Sequence, residues 1–281
     1  MEQNIIDHLT ALSHPQRLAI FRLLMRRCPD ALPAGEIAEA LDLKASTASV
    51  YLSTLTRADL ITQRRDATRL LYCINLETAR GIVEGLFVDC CRGRADLCPP
   101  ALADIVTTVA PAQGTKFNVL FICTGNSARS IFAEAILREM AGDLFNAYSA
   151  GTVENSDLNP HAVRLLTARQ HDVTPLRAKN VAEFRTGTAP QMDFVFTVCD
   201  RAANEECPVW QGKPISGHWG VADPAKATGS QAEMMQAFQR AHDVLYQRIS
   251  AFISLPIDQL DRRSLQTHID EIGRQPALTQ E

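Results

Sequence analysis

Hydrophobic positions follow two regimes, a helical period over the first third of the chain and an alternation of strands and helices from about residue 116 onward. Ile5, Leu9 and Leu12 recur at the spacing of one helix face, and Leu18, Phe21, Leu24 and Met25 do so again after Pro15, a residue suited to a first helical turn. Residues 35–41 predict a short helix with Ile37, Ala38 and Leu41 inward. After Asp42-Leu43-Lys44-Ala45 a second helix is predicted, capped by Ser46 and facing inward through Tyr51, Leu52 and Leu55. Two short helices joined by a tight turn predict a helix-turn-helix. Residues 60–65 and 69–74 read as strands around Asp66-Ala67-Thr68, a hairpin carrying Arg64, Arg65 and Arg69.

Pro99-Pro100 and the stretch 111–115 break both patterns, so 99–115 reads as a linker between domains at 1–98 and 116–255, with a tail at 256–281. Past the linker, strands are expected at 117–122, 147–150, 194–198 and 215–219, with helices at 130–140, 160–168 and 232–252. Strands alternating with helices predict an open parallel α/β sheet in three layers, behind a mainly α first domain. In the tail, Leu260, Leu265, Ile269 and Ile272 suggest a helix that the pattern assigns to neither domain.

A length of 281 residues suits two domains, each burying its own core. The net charge of -4 gives no global basic field, so any contact with nucleic acid must come from a local patch. A secretory leader and an apolar run of membrane-spanning length are not apparent, which makes the cytoplasm the expected location, with no membrane partner. In that compartment eight cysteines suggest reduced thiols with chemistry to do rather than a disulfide framework. Cys28 and Cys73 sit in apolar stretches and read as core; the others form two groups, Cys90, Cys91 and Cys98, then Cys123, Cys199 and Cys207.

One segment carries chemistry outright. The apolar strand ending at Ile122 runs into Cys123-Thr124-Gly125-Asn126-Ser127-Ala128-Arg129-Ser130, which opens a helix. Backbone N–H groups of such a loop and of the helix start converge on a tetrahedral oxyanion, and an arginine six positions after the cysteine can clamp two of its oxygens. The same positive field favours the thiolate, making Cys123 a nucleophile, with Thr124 to Ser130 lining the anion site. Gly125 and Asn126 tolerate left-handed backbone angles, and the Ser130 hydroxyl is placed to donate to the sulfur.

On these residues the segment 116–255 resembles the low-molecular-weight tyrosine phosphatase family and, more closely, its arsenate reductase branch. The resemblance implies that Asp223-Pro224, after His218-Trp219-Gly220-Val221-Ala222, supplies the general acid. Phosphatases of the family place tyrosines just after the Asp-Pro, whereas this chain continues Ala225-Lys226-Ala227. The stretch from Val195 through Cys199-Asp200 to Cys207-Pro208-Val209-Trp210 resembles the reductase branch's redox segment. A reductase is therefore preferred over a phosphatase, the alternative reading. The implied route is a relay from Cys123 to Cys199 to Cys207, emptied by thioredoxin or by glutathione with glutaredoxin, with no catalytic cofactor. Some reductases of this branch carry a further cysteine where this chain has Ala128, which the three-thiol route does not need.

Residues 5 to about 98 resemble the ArsR family of winged-helix metalloid repressors, through Ala11-Leu12-Ser13-His14-Pro15-Gln16-Arg17-Leu18, the segment 46–52 and the hairpin. The resemblance implies that Ser46, Thr47, Ser49 and Val50 read operator DNA, that Arg64, Arg65 and Arg69 meet phosphates or the minor groove, and that the protein is a homodimer joined through a helix over 76–90 and the N-terminal helix. Many relatives have His where this chain has Tyr51, a position expected to pack rather than contact DNA. Three soft thiolates, Cys90, Cys91 and Cys98, suit a three-coordinate metalloid better than zinc, and related sensors use such a cluster, so arsenite is the expected inducer.

Overall fold

The computed structural model describes residues 2–86, 110–111, 115–154, 156–205, 210 and 213–275. The chain divides into two compact units near residue 105. Among the described residues, no helix is long and apolar enough to cross a membrane.

In the first unit, α1 (Glu2–Leu12) and α2 (Pro15–Arg27) precede β1 (Leu32–Pro33), α3 (Ala34–Ala40), α4 (Ala45–Arg57), β2 (Ile61–Asp66), β3 (Arg69–Ile74) and α5 (Leu76–Glu84). His14 caps α2 by accepting from the Gln16 N–H at 3.2 Å, and Pro15 fills the first turn, where its missing donor costs nothing. The α3–α4 turn passes through Asp42 at φ 50°, and α4 starts at Ala45 behind Lys44, with no side-chain cap. Ser46 is thus a first-turn residue, a correction to its expected role as cap. β3 pairs antiparallel with both β1 and β2, and Ala67 turns the hairpin at φ 50°. Ile20, Leu23, Leu24, Ile37, Leu52, Leu55 and Leu60 form the core under the helices. Leu41 and Tyr51 are only partly buried against it.

The second unit runs β4 (Phe117–Cys123), α6 (Arg129–Ala141), β5 (Phe145–Gly151), α7 (Pro160–Ala168), β6 (Phe194–Thr197), α8 (Asp200–Asn204), β7 (Ile215–His218), α9 (Gln231–Ile253) and α10 (Arg262–Arg274). Its four strands are parallel in the order β5-β4-β6-β7. A central parallel strand is covered on both faces, which is why Phe117-Asn118-Val119-Leu120-Phe121-Ile122-Cys123 reads as one apolar run and is buried from Asn118 onward. Chain order turns back between β4 and β6. At that switch point the carboxyl ends of neighbouring strands open a crevice, the usual ligand position in such sheets.

The tail helix belongs to this unit. Leu265, Ile269 and Ile272 of α10 are buried in the core of the α/β unit, and the Trp219 indole donates to the Ile269 carbonyl at 3.2 Å. At Gly217 a Cβ would come within 2.7 Å of Ile269 Cγ2, so α10 lies closely against β7.

Candidate active site and nucleic-acid interface

Cys123 is the last residue of β4 and Arg129 the first of α6, so the loop 124–128 bridges a buried strand end and a helix start. The segment after β5 ties the loop down: Thr152 N–H donates to the Cys123 carbonyl at 3.1 Å, Val153 N–H to Thr124 at 3.0 Å and Asn159 N–H to Ser127 at 2.9 Å. Gly151 permits this approach, since a Cβ there would stand 2.8 Å from the Thr124 oxygen and 3.0 Å from the Asn126 nitrogen.

The Cys123 sulfur receives the Asn126 N–H at 3.1 Å and lies 3.0 Å from Ser130 Oγ. Asn126 takes the left-handed angle expected of the loop, at φ 47°; Gly125 does not have a positive φ. Asn126 and Ser130 are fully buried, so their side chains brace the loop from beneath, while Thr124, Gly125 and Ser127 are partly exposed and Ala128 is buried.

Arg129 donates from Nη1 to the Val221 carbonyl at 3.1 Å and from Nη2 to Asp223 Oδ2 at 2.9 Å. The Asp223 carboxylate is thereby held over the loop, and its Oδ1 caps the Pro224–Lys226 turn by accepting the Ala225 N–H at 3.2 Å. Sequence reasoning missed the anchors of this segment. Trp219 stacks on Phe196 with ring centroids 4.0 Å apart, and its N–H donates to the Thr197 carbonyl at 2.8 Å. The buried Arg248 donates to the Gly220 carbonyl at 3.0 Å. Trp219, one of two tryptophans in the chain, was the available signal; Arg248, on α9, offered none.

Cys199 lies just beyond β6, beside the end of β4: Ile122 pairs with Thr197, and the Val198 N–H donates to the Ile122 carbonyl at 2.8 Å. Its sulfur caps α8 by accepting the Ala202 N–H at 3.4 Å and sits 3.4 Å from Thr124 Oγ1 of the loop. Burial, with the charge of the nearby Cys123 sulfur, pushes the Cys199 thiol up; the Thr124 hydroxyl works against that rise. Cys207, the third expected thiol, lies outside the described residues.

A model of the low molecular weight phosphotyrosine protein phosphatase family matches residues 118–266, more than half of the chain. The chain belongs to that family. A second model, described as a helix-turn-helix domain, matches residues 12–64. Within the phosphatase family, the chain is similar to an arsenate reductase of Bacillus licheniformis, 37% identical over 138 residues that span 49% of this chain and 96% of that protein. It is also similar to the arsenate reductase of Bacillus subtilis, 35% identical over 134 residues, 48% of this chain and 93% of that protein. Among solved structures, one of an arsenate reductase in the phosphate binding state matches 49% of this chain and 97% of its own, at 21% identity and a TM-score of 0.38. The reduced form of HlyU from Vibrio cholerae matches 32% of this chain and 92% of its own, at 27% identity and a TM-score of 0.26.

In the helix-turn-helix unit, Ser46, Ser49 and Val50 are exposed along one side of α4 and Thr47 is partly exposed, while Ala48, Leu52 and Leu55 face the core. Arg64, Arg65 and Arg69 project from an exposed hairpin. Tyr51 packs on His14 with ring centroids 4.9 Å apart, in keeping with a packing role. Cys90, Cys91 and Cys98 lie outside the described residues, as does the end of the helix expected over 76–90.

Proposed function

We propose that the protein is an arsenic-responsive DNA-binding regulator fused to a thiol-dependent arsenate reductase. The observation that carries this reading is the placement of Cys199 beside the Cys123 loop, at the ends of adjacent parallel strands. Ester hydrolysis has no use for a second thiol there. The curated relatives named arsenate reductase and the Ala225-Lys226-Ala227 sequence after Asp223-Pro224 support the same choice.

The Cys123 thiolate attacks arsenate while Arg129 and the loop N–H groups hold its oxygens, and Asp223 protonates the departing hydroxide to water. Cys199 then attacks the Cys123 sulfur. The sulfur–arsenic pair stays with arsenic, which leaves as arsenite, and a Cys123–Cys199 disulfide forms. Cys207 attacks Cys199, freeing the Cys123 thiolate, and the Cys199–Cys207 disulfide is reduced by thioredoxin or by glutathione with glutaredoxin. Arsenite is captured by Cys90, Cys91 and Cys98, releasing operator DNA bound through Ser46, Thr47, Ser49, Val50, Arg64, Arg65 and Arg69. The domains are a DNA reader at 1–98, a linker at 99–115 and an enzyme at 116–255 extended by α10. Exposed Ile6 and Leu9 on α1, with Leu76 and Val83 on α5, support a homodimer built through these helices. The protein is expected in the cytoplasm.

The test is arsenate-dependent consumption of a thioredoxin or glutaredoxin system. Cys199→Ser is expected to abolish multiple turnover; turnover that survives it refutes the relay. Brisk hydrolysis of an aryl phosphate, unaffected by Cys199→Ser and without arsenate reduction, marks a phosphatase instead.

A further inference from the structure

Beneath the loop lies a buried polar cluster that the reaction as described does not use. Glu134, on the second turn of α6, is 3% exposed, yet it accepts from the Ser149 hydroxyl, from Arg138 and, at 2.8 Å, from the Lys179 ammonium. The Lys179 side chain is 8% exposed and also donates to the Arg177 carbonyl at 3.1 Å. Arg177 and Tyr148 are the further charged or titratable groups whose fields reach Glu134.

The donors in this cluster can be assigned one by one. Asn126 Oδ1 accepts the Lys179 backbone N–H at 2.7 Å, which fixes the amide so that Nδ2 carries the two donors. Those donors go to Ser149 Oγ and Ser130 Oγ, each at 2.8 Å. Ser149, already accepting, sends its own hydrogen to Glu134. Ser130, also accepting, has its hydrogen left for the Cys123 sulfur at 3.0 Å. The order runs one way as long as Glu134 acts only as an acceptor, as its contacts with Ser149, Lys179 and Arg138 have it. Paired cations hold a buried carboxylate in the acceptor role, and Lys179 is the more enclosed of its two cationic neighbours, since the Arg138 side chain is 34% exposed.

We infer that Lys179, acting through Glu134, is a positioning residue for Cys123: it sets the direction of the hydrogen-bond chain that leaves the Ser130 hydroxyl donating to the sulfur. The inference rests on the reading of Cys123 as the nucleophile. Without the ammonium, Glu134 loses the enclosed cation that orients it and keeps only Arg138, so it no longer holds the Ser149 hydrogen in place. The Ser149 hydrogen then competes with the Asn126 amide, Asn126 loosens, and Ser130 is no longer held as a donor. Cys199, Arg129 and Asp223, the titratable groups around the sulfur and its loop, are untouched by that change.

The measurement is alkylation of Cys123 by iodoacetamide in the intact chain. The tryptic peptide 117–129, cut after Lys116 and Arg129, has Cys123 as its only cysteine, so mass spectrometry follows that sulfur alone. Lys179→Met is expected to slow alkylation at pH 7 by about tenfold and move its pH profile upward, because the thiolate is the reactive form. Introduced into a Ser130→Ala background, the same change is expected to add no further slowing. An unchanged rate in Lys179→Met, or equal slowing in both backgrounds, overturns the inference. If Lys179→Met melts below the assay temperature, Glu134→Gln, nearly identical in shape, decides by the same two criteria. A wild-type Cys123 that alkylates no faster at pH 7 than a free cysteine sinks both the inference and the nucleophile reading. Loss of arsenate turnover with the alkylation pattern intact sinks only the reductase reading.

Discussion

At the residue scale two buried sulfurs lie at the ends of adjacent strands in different surroundings. Cys123 receives the Asn126 backbone N–H and lies beside the Ser130 hydroxyl, whereas the Cys199 thiol is pushed up by burial and by its neighbour's charge. At neutral pH Cys199 is therefore mainly the thiol. Its ionised fraction grows as pH rises, so single-turnover release of arsenite from a preformed Cys123 adduct is expected to accelerate by up to about tenfold per pH unit above 7. A rate that is flat from pH 7 to 9 contradicts this. A second residue-scale effect concerns stability. His242 is buried against Phe132, with Arg169 donating to its Nδ1 at 2.8 Å, His171 3.3 Å from its Nε2 and Asp243 3.4 Å away. Burial, then the Arg169 charge, lowers its pKa from 6.5 to about 4. Between these values the unfolded chain binds the extra proton and the native one does not, so stability is intact above about pH 6.5 and is lost as pH falls toward 4. The loss reaches roughly 3 kcal/mol at most, read from urea midpoints, and His242→Gln is expected to flatten that slope.

At the element scale, two glycine-dependent approaches hold the site in place. Gly151, closing β5, brings that strand's exit against the loop, and Gly151→Ala is expected to cut turnover at least tenfold by displacing Thr124 and Asn126, with little change in far-UV circular dichroism. Gly217 does the same for α10 and β7. Because Ile269 is fully buried there, Ile269→Ala is expected to cost about 2–5 kcal/mol in denaturant unfolding of the second domain. An effect near zero would mean that α10 does not stabilise this unit. The element types were legible from periodicity, since long apolar runs and helix spacing are local properties. Their edges were less so. β5 begins at Phe145 rather than 147 because its pairing with β4 extends to Phe117, and α4 begins one residue before Ser46 because the helix start is set by the turn at Asp42.

At the scale of the whole molecule, the fusion puts a source of arsenite and its expected trap in one chain. Arsenate with reductant is then expected to release DNA better than the same amount of added arsenite, in a gel-shift titration; equal potency removes any benefit of local concentration. The arginines of the hairpin give a separate check. Replacing Arg64, Arg65 and Arg69 with alanine is expected to weaken DNA binding and to reduce the slope of log K against log salt by up to about 3 per protomer. What the sequence alone determined was everything carried by contiguous residues: the Cys123-to-Arg129 loop between strand and helix, the two short helices with their turn, the basic hairpin and the alternation that implies a parallel sheet. A loop, turn or period is written in neighbouring positions, so its chemistry is visible before folding. Only the tertiary structure decided that Cys199 stands beside the loop, that Lys179 and Glu134 meet beneath it, that Trp219 and Arg248 anchor the segment leading to Asp223, and that α10 packs on β7. Those contacts join residues tens of positions apart through strand order and helix docking, and a buried ionic residue looks in sequence like a surface one until its partner arrives.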